Sequence, residues 1–191
     1  MSDKKSSIFN AGRDLFLQKG FKDVNVSDIT KQAGFSVGTF YNYYVSKEEL
    51  FIEIYYRENE MAKKAIIDDI NIDDDPLNIA MSFISQIMST LKSNLILKEW
   101  YNKGVLADLE REYRNKEDKR DCFVYAFFRK LLEKWRAEGK VRNDIDDSQI
   151  FALVDSLIFL DTHKAEITME PSVMKLLVEF IFKGITNLNK E

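Results

Sequence analysis

Helix-breaking residues are scarce in this sequence, which has only two prolines and seven glycines in 191 residues. Strand-like alternation of polar and apolar residues is nearly absent too, while apolar residues recur at spacings of three and four. That pattern argues against a sheet protein and predicts an all-α chain of about nine helices. One cysteine, Cys122, leaves no internal disulfide available and fits a reducing compartment. One histidine, His163, leaves a zinc site or a histidine-based triad without raw material. The densest late apolar run, Phe151 to Leu160, is about ten residues long and is interrupted by Asp155, too short to span a bilayer. The opening MSDKKSSIFNAG is polar and carries no signal-peptide pattern. No nucleophile elbow, phosphate loop or metal cluster is visible, so neither an enzyme nor a cofactor or metal is expected. The expectation is a soluble cytoplasmic protein that does not engage membranes.

Apolar residues make up 45% of the chain, which excludes a disordered protein. Aromatics make up 13%, and most of them are needed for core. The net charge is −4, but it is unevenly placed. Residues 1–50 hold 7 Lys and Arg against 6 Asp and Glu, whereas the remainder holds 21 against 26. The N-terminal part is the less acidic part without being a basic patch. Any nucleic-acid binding there must rest on well-placed contacts and not on bulk charge.

The punctuation of the chain divides it into helices. A first helix is predicted over about Ser6–Lys19, with Ile8, Leu15 and Phe16 on one face and Gly20 as its left-handed stop. Asn25, with Asp28 three residues on, reads as the cap of a short second helix whose Val26, Ile29 and Ala33 face inward and which Gly34 ends. Ser36 caps a third, about Val37–Tyr44. Ser46 caps a fourth, which has Glu48 and Glu49 in its first turn and runs to about Asp69. Beyond the acidic turn Asp73-Asp74-Asp75 a fifth is predicted over about Pro76–Leu91. Two or three helices follow between about Asn94 and Gly139. The last two are expected over about 147–164 and 171–188.

Two short helices joined by a tight glycine turn are what a helix-turn-helix requires, and residues 26–45, VSDITKQAGFSVGTFYNYYV, supply them. At 100° per residue, Val37, Phe40 and Tyr44 fall on one side of the second helix and are expected to pack inward. Gly38, Thr39 and Asn42 point the other way, with Tyr41 and Tyr43 on the flanks. A small polar face bordered by phenols suits a helix entering the major groove, with little bulk at the base edges and donors at the rims.

The run Gly20–Leu50 resembles the signature of TetR-family regulators. It supplies Gly20-Phe21, Ile29-Thr30, Ala33-Gly34, Ser36-Val37-Gly38-Thr39-Phe40-Tyr41 and Lys47-Glu48-Glu49-Leu50 at the family's spacings. Thr30 stands where the family usually has alanine, and its hydroxyl is expected to bond back to its own helix. The resemblance implies a DNA-binding domain over 1–50 and an effector-binding and dimerisation domain over 51–191. It implies a DNA-binding set of Ser27, Ser36, Val37, Gly38, Thr39, Tyr41, Asn42, Tyr43 and Lys47. In that set Ser27, Tyr41 and Lys47 would touch phosphates, and Thr39, Asn42 and Tyr43 would approach base edges. Gly38 would permit close approach, and Val37 would meet a thymine methyl.

The resemblance further implies a homodimer through the last two helices, double-stranded DNA with a near-palindromic operator as partner, and a small-molecule effector. Ile150–Leu160 is apolar nearly all round, so it needs cover on more than one side. The aromatic character of the C-terminal half points to a hydrophobic effector, with Trp100, Tyr101, Phe123, Tyr125, Phe127 and Asp155 as candidate ligand residues. Asp155 has two readings, a structural acid satisfied by a neighbour or a polar anchor in a pocket. A repressor is the commoner outcome the resemblance implies. An activator, or a C-terminal half that docks a protein and not a metabolite, stays open at this point.

Overall fold

The computed structural model describes residues 3–102, 123–163 and 170–186. Cys122 and any helix within 103–122 lie outside them, and the two helices expected to reach Lys164 and Leu188 end sooner, at Thr162 and Ile185, on the caps His163 and Thr186. Every regular element among the described residues is helical. They are α1 (Asp3–Lys19), α2 (Val26–Ala33), α3 (Val37–Tyr41), α4 (Lys47–Asp69), α5 (Pro76–Ser93), α6 (Leu95–Lys98), a 3₁₀ turn (Glu99–Tyr101), α7 (Phe123–Ala137), α8 (Asp147–Thr162) and α9 (Pro171–Ile185). The all-α expectation holds. No helix among the described residues is long and apolar enough to cross a membrane.

Local chemistry sets most boundaries. The Asn25 side chain accepts from the Asp28 N–H while Asp28 returns a bond to the Asn25 N–H, a complete capping box at the start of α2. Gly34 closes α2 at φ 76°, a left-handed conformation that costs a residue with a Cβ about 1–2 kcal/mol. Both prolines open helices, where a missing N–H costs nothing. Asp146 and Gln149 form a second capping box on α8. Thr30 is buried and its hydroxyl donates to the Ser27 carbonyl at 3.1 Å, which is how a polar residue is tolerated there.

Two differences from the sequence reading concern α1 and α3. α1 begins three residues early, at Asp3, whose carboxylate sits in the first turn and whose carbonyl accepts from Ser7. α3 stops at Tyr41, short of Tyr44. The N–H groups of Tyr43 and Tyr44 both turn onto the Phe40 carbonyl, at 2.9 and 3.1 Å, tightening the last turn and ending the helix.

The chain forms two compact units. The first comprises Met1–Lys64 and Met88–Asn115, so it takes in most of α4 and all of α6 besides α1–α3. Its core is built on Ile8, Phe16, Ile29, Phe40, Leu50, Phe51, Ile54 and Ile96, all with no exposed surface. Removing each from water contributes about 1.5–3 kcal/mol. Phe16, Phe21 and Phe51 form an aromatic cluster with centroids 4.7–6.0 Å apart. α1 and α4 lie so close that a Cβ on Gly12 would stand 2.8 Å from Leu50 Cδ2.

One buried carboxylate ties three elements of this unit. Glu58 on α4 is 5% exposed. It accepts from Arg13 Nε on α1 at 2.6 Å and from Asn94 Nδ2 at 2.9 Å. Asn94 in turn caps α6 by accepting from the Ile96 and Leu97 N–H groups.

The second unit comprises Ala65–Ile87 and Lys116–Glu191. Its core holds Ile79, Leu132, Trp135, Val141, Ile150, Val178, Phe182 and Ile185. Arg136 organises the α7–α8 connection, donating to Asp147 Oδ1 at 2.7 Å and to the Ile145 carbonyl at 2.8 Å.

Removing a buried carboxylate leaves its donors stranded, and the penalty is trimmed here because Arg13 keeps 36% side-chain exposure. Glu58→Ala should therefore lower the unfolding free energy by about 2–4 kcal/mol. Lys5→Ala, which breaks a more accessible 2.9 Å pair with Glu53, should cost less than about 1 kcal/mol. Urea midpoints of the two variants against the parent chain measure the contrast.

Candidate nucleic-acid interface

α2 and α3 are joined by the Gly34–Ser36 turn, and α3 starts on the Ser36 cap, whose oxygen accepts from the Thr39 N–H at 3.3 Å. Phe40 and Tyr44 are the inward anchors of the segment, as the helical projection predicts. Burial, with the Glu53 carboxylate adding to it, holds the Tyr44 phenol above its ordinary pKa, so this anchor stays neutral.

Val37 is a correction. It was expected to pack inward with Phe40 and Tyr44, yet it is 41% exposed. It is the first helical residue after the cap, and at that end Phe35 packs on the core in its place.

The outward surface therefore comprises exposed Ser27, Ser36, Val37, Gly38, Tyr41 and Asn42, with Thr39, Tyr43 and Lys47 half-buried at its edges. Tyr41 is 55% exposed. Thr39 and Ser36 share a 3.1 Å hydroxyl–hydroxyl bond, so both hydroxyls already serve the cap. A Cβ at Gly38 would meet nothing closer than Ser36 Oγ at 3.8 Å, so the protein itself does not require glycine there.

Lys47 has a second task that its sequence position did not reveal. Its ammonium donates to the carbonyls of Phe21 and Val24, both at 2.8 Å, and lies 4.1 Å from the centre of the Phe21 ring. Two of its three donors are thus spent on holding the α1–α2 loop to the start of α4. No local pattern announces this, because the partners lie 26 and 23 residues away.

The ligand candidates fall in both units. Trp100 belongs to the first unit, stacked on Tyr55 with centroids 6.1 Å apart. The Tyr101 side chain lies outside the described residues. Phe123, Tyr125 and Phe127 lie on α7 in the second unit, Phe123 exposed and Phe127 packed at the core edge. The Tyr125 hydroxyl donates to Asp155, and its ring stacks on Phe151 at 5.7 Å. Asp155 is exposed and accepts this bond through Oδ1. The second unit also has an open groove of about 300 Å³ lined by Arg142, Ile145, Leu153, Leu177, Phe180 and Ile181, none of them among the candidates.

A tight helix pair with a small outward face is the arrangement of a helix-turn-helix. Residues 8–54 match the family model for bacterial regulatory proteins, tetR family. The chain is 21% identical to the uncharacterized HTH-type transcriptional regulator YfiR of Bacillus subtilis over 95% of its own length and 93% of that protein's. It is 38% identical to the uncharacterized HTH-type transcriptional regulator YwcC of the same organism over 61 residues, which span 32% of this chain and 26% of YwcC. In fold it is similar to RolR, solved in complex with its ligand resorcinol, at a TM-score of 0.63 and 15% identity, covering 95% of this chain and 87% of that one. The chain therefore resembles TetR-family transcriptional regulators, in sequence through residues 8–54 and in fold across the described residues.

Because the fold leaves room at Gly38, Gly38→Ala should keep or slightly raise the melting temperature, helix propensity favouring alanine by up to about 1 kcal/mol. If α3 approaches DNA closely, the same change should weaken operator binding about tenfold or more. Thermal unfolding and a binding titration at one salt concentration separate the two effects.

Proposed function

We propose that this protein is a cytoplasmic transcriptional repressor which binds a near-palindromic operator as a homodimer and leaves it when a small hydrophobic molecule binds the C-terminal half. The observation that carries the DNA reading is the outward face of α3, small and polar at its centre with phenols at its rims. Tyr41, Tyr43 and Ser27 are assigned to phosphates, and Asn42 and Thr39 to base edges. Lys47 is given a split role, two donors to the loop carbonyls and the third to a phosphate. The 1–50 segment acts as the reading head, and the remainder carries effector binding and dimerisation.

The dimer reading rests on α8 and α9. Within one chain each buries only one side: Ile150 and Leu157 are inside, while Leu153, Ile158 and Phe159 are exposed. On α9, Val178 and Phe182 are inside and Val173, Leu176 and Phe180 exposed. Phe159 and Phe180 show 62% and 64% of their surface, a cost that a second copy of the same two helices removes. A two-fold dimer then reads two half-sites about 34 Å apart.

The effector proposal draws on RolR and its resorcinol, which supports a small aromatic class of ligand. α4 is the proposed transmitter. Its 23 residues extend about 34 Å as one helix, and the Lys47 brace makes the α1–α2 loop follow its first turn. A ligand that favours one tilt of α4 would change the half-site spacing and shift the population away from DNA.

Selection of genomic fragments by the purified chain at fixed moderate salt should enrich a near-palindrome. Tyr41→Phe should bind it several-fold more weakly, through loss of a phosphate-directed hydroxyl. Absence of any enriched sequence would remove the DNA reading. Phe159→Glu combined with Phe180→Glu should convert a dimer to a monomer in sedimentation velocity. A doubly substituted chain that stays dimeric would place the interface elsewhere.

A further inference from the structure

The face that α3 presents is uncharged throughout. From Ser36 to Ser46 the sequence is SVGTFYNYYVS, eleven residues without a cation. The commonest specific contact in a major groove is an arginine or lysine bidentate to guanine O6 and N7, and α3 has no residue able to make it. The cation next along the chain, Lys47, spends two donors on the Phe21 and Val24 carbonyls.

What α3 does offer is apolar and amide chemistry. Val37 stands at the first helical position with 41% of its surface exposed. The N-terminal residues of a recognition helix are the ones that meet base edges. The only apolar group on a base edge in the major groove is the thymine 5-methyl. Asn42 is exposed, and its side-chain amide has no hydrogen-bond partner among the described residues. An amide of that kind matches adenine N6 and N7 in a bidentate pair. Gly38, between Val37 and Thr39, adds no side chain that would hold the backbone away from the groove.

We propose that α3 reads A·T pairs, with Val37 packed on a thymine 5-methyl and Asn42 paired to an adenine edge, so that each half-site is A·T-rich under this helix. The inference rests on the DNA-binding reading of α3 given above and adds the base class it recognises.

The test uses the full chain and the operator enriched from genomic fragments. Each thymine of a half-site is replaced singly by deoxyuridine, which removes the 5-methyl and leaves pairing intact. Affinity is measured at one salt concentration for the parent chain, Val37→Ala and Asn42→Ala. One thymine per half-site should be sensitive, its loss weakening parent binding roughly fourfold, the worth of one buried methyl. Val37→Ala, which changes both half-sites of the dimer, should bind the natural operator weaker by about that factor per half-site, roughly sixteenfold in all, and lose nothing more on the deoxyuridine operator, since the contact to that methyl is already gone. Asn42→Ala should weaken binding about tenfold and relax the preference for one adenine. Val37 is exposed, so an unchanged helical circular dichroism spectrum is expected of its variant. Guanine–cytosine pairs at the positions facing α3 overturn the inference, as do deoxyuridine effects equal in the parent and Val37→Ala chains, even though DNA binding then stands. Failure to enrich any operator removes the DNA reading itself, and the base assignment falls with it.

Discussion

Two carbonyl oxygens, those of Phe21 and Val24, turn toward the ammonium of Lys47, and the DNA-binding unit depends on that meeting. The loop between α1 and α2 has no ladder of its own, so its carbonyls need outside donors. Lys47 supplies two and rests its charge on the Phe21 ring, which packs in turn on Phe16 and Phe51. The end of α1, the start of α2 and the start of α4 are thereby joined at one point. α3 is strung between α2 and α4, so its pose follows from theirs. A charge placed so close to the reading helix is mostly a structural brace, which explains how a face without cations stays well positioned.

A second junction acts at the other end of the same unit. Glu58 takes a bond from α1 through Arg13 and one from Asn94, which is also the cap of α6. Burying a carboxylate is costly, and the arrangement is tolerable because both oxygens are satisfied. The Lys47 and Glu58 junctions both lie on α4, so movement of that helix is carried to α1, to the α1–α2 loop and to α6 together.

The chain leaves two surfaces of opposite character uncovered. On α3 and its cap the exposed residues are mostly small, amide or phenolic, with Val37 the apolar exception, a surface that water largely satisfies until a polar partner with its own methyl groups replaces it. On α8 and α9 the exposed residues are leucine, isoleucine, valine and phenylalanine, which water does not satisfy. The first surface is suited to reversible, sequence-dependent contact. The second is suited to a partner that stays.

The sequence by itself determined what lies within about four residues of its own cause. The Asn25–Asp28 box, the left-handed Gly34, the Ser36 cap and the two helix-opening prolines were all legible, because each bond closes inside one turn. The inward anchors Phe40 and Tyr44 were legible for the same reason, through helical periodicity. Val37 was misread because periodicity says which side a residue faces and not whether that side is already filled at the helix end. Lys47, Glu58 and the pairing of Tyr125 with Asp155 were decided only by the tertiary structure, with partners 23 to 45 residues away. Their hydrogen bonds exist only after the helices have packed, and no residue nearby in the chain records them.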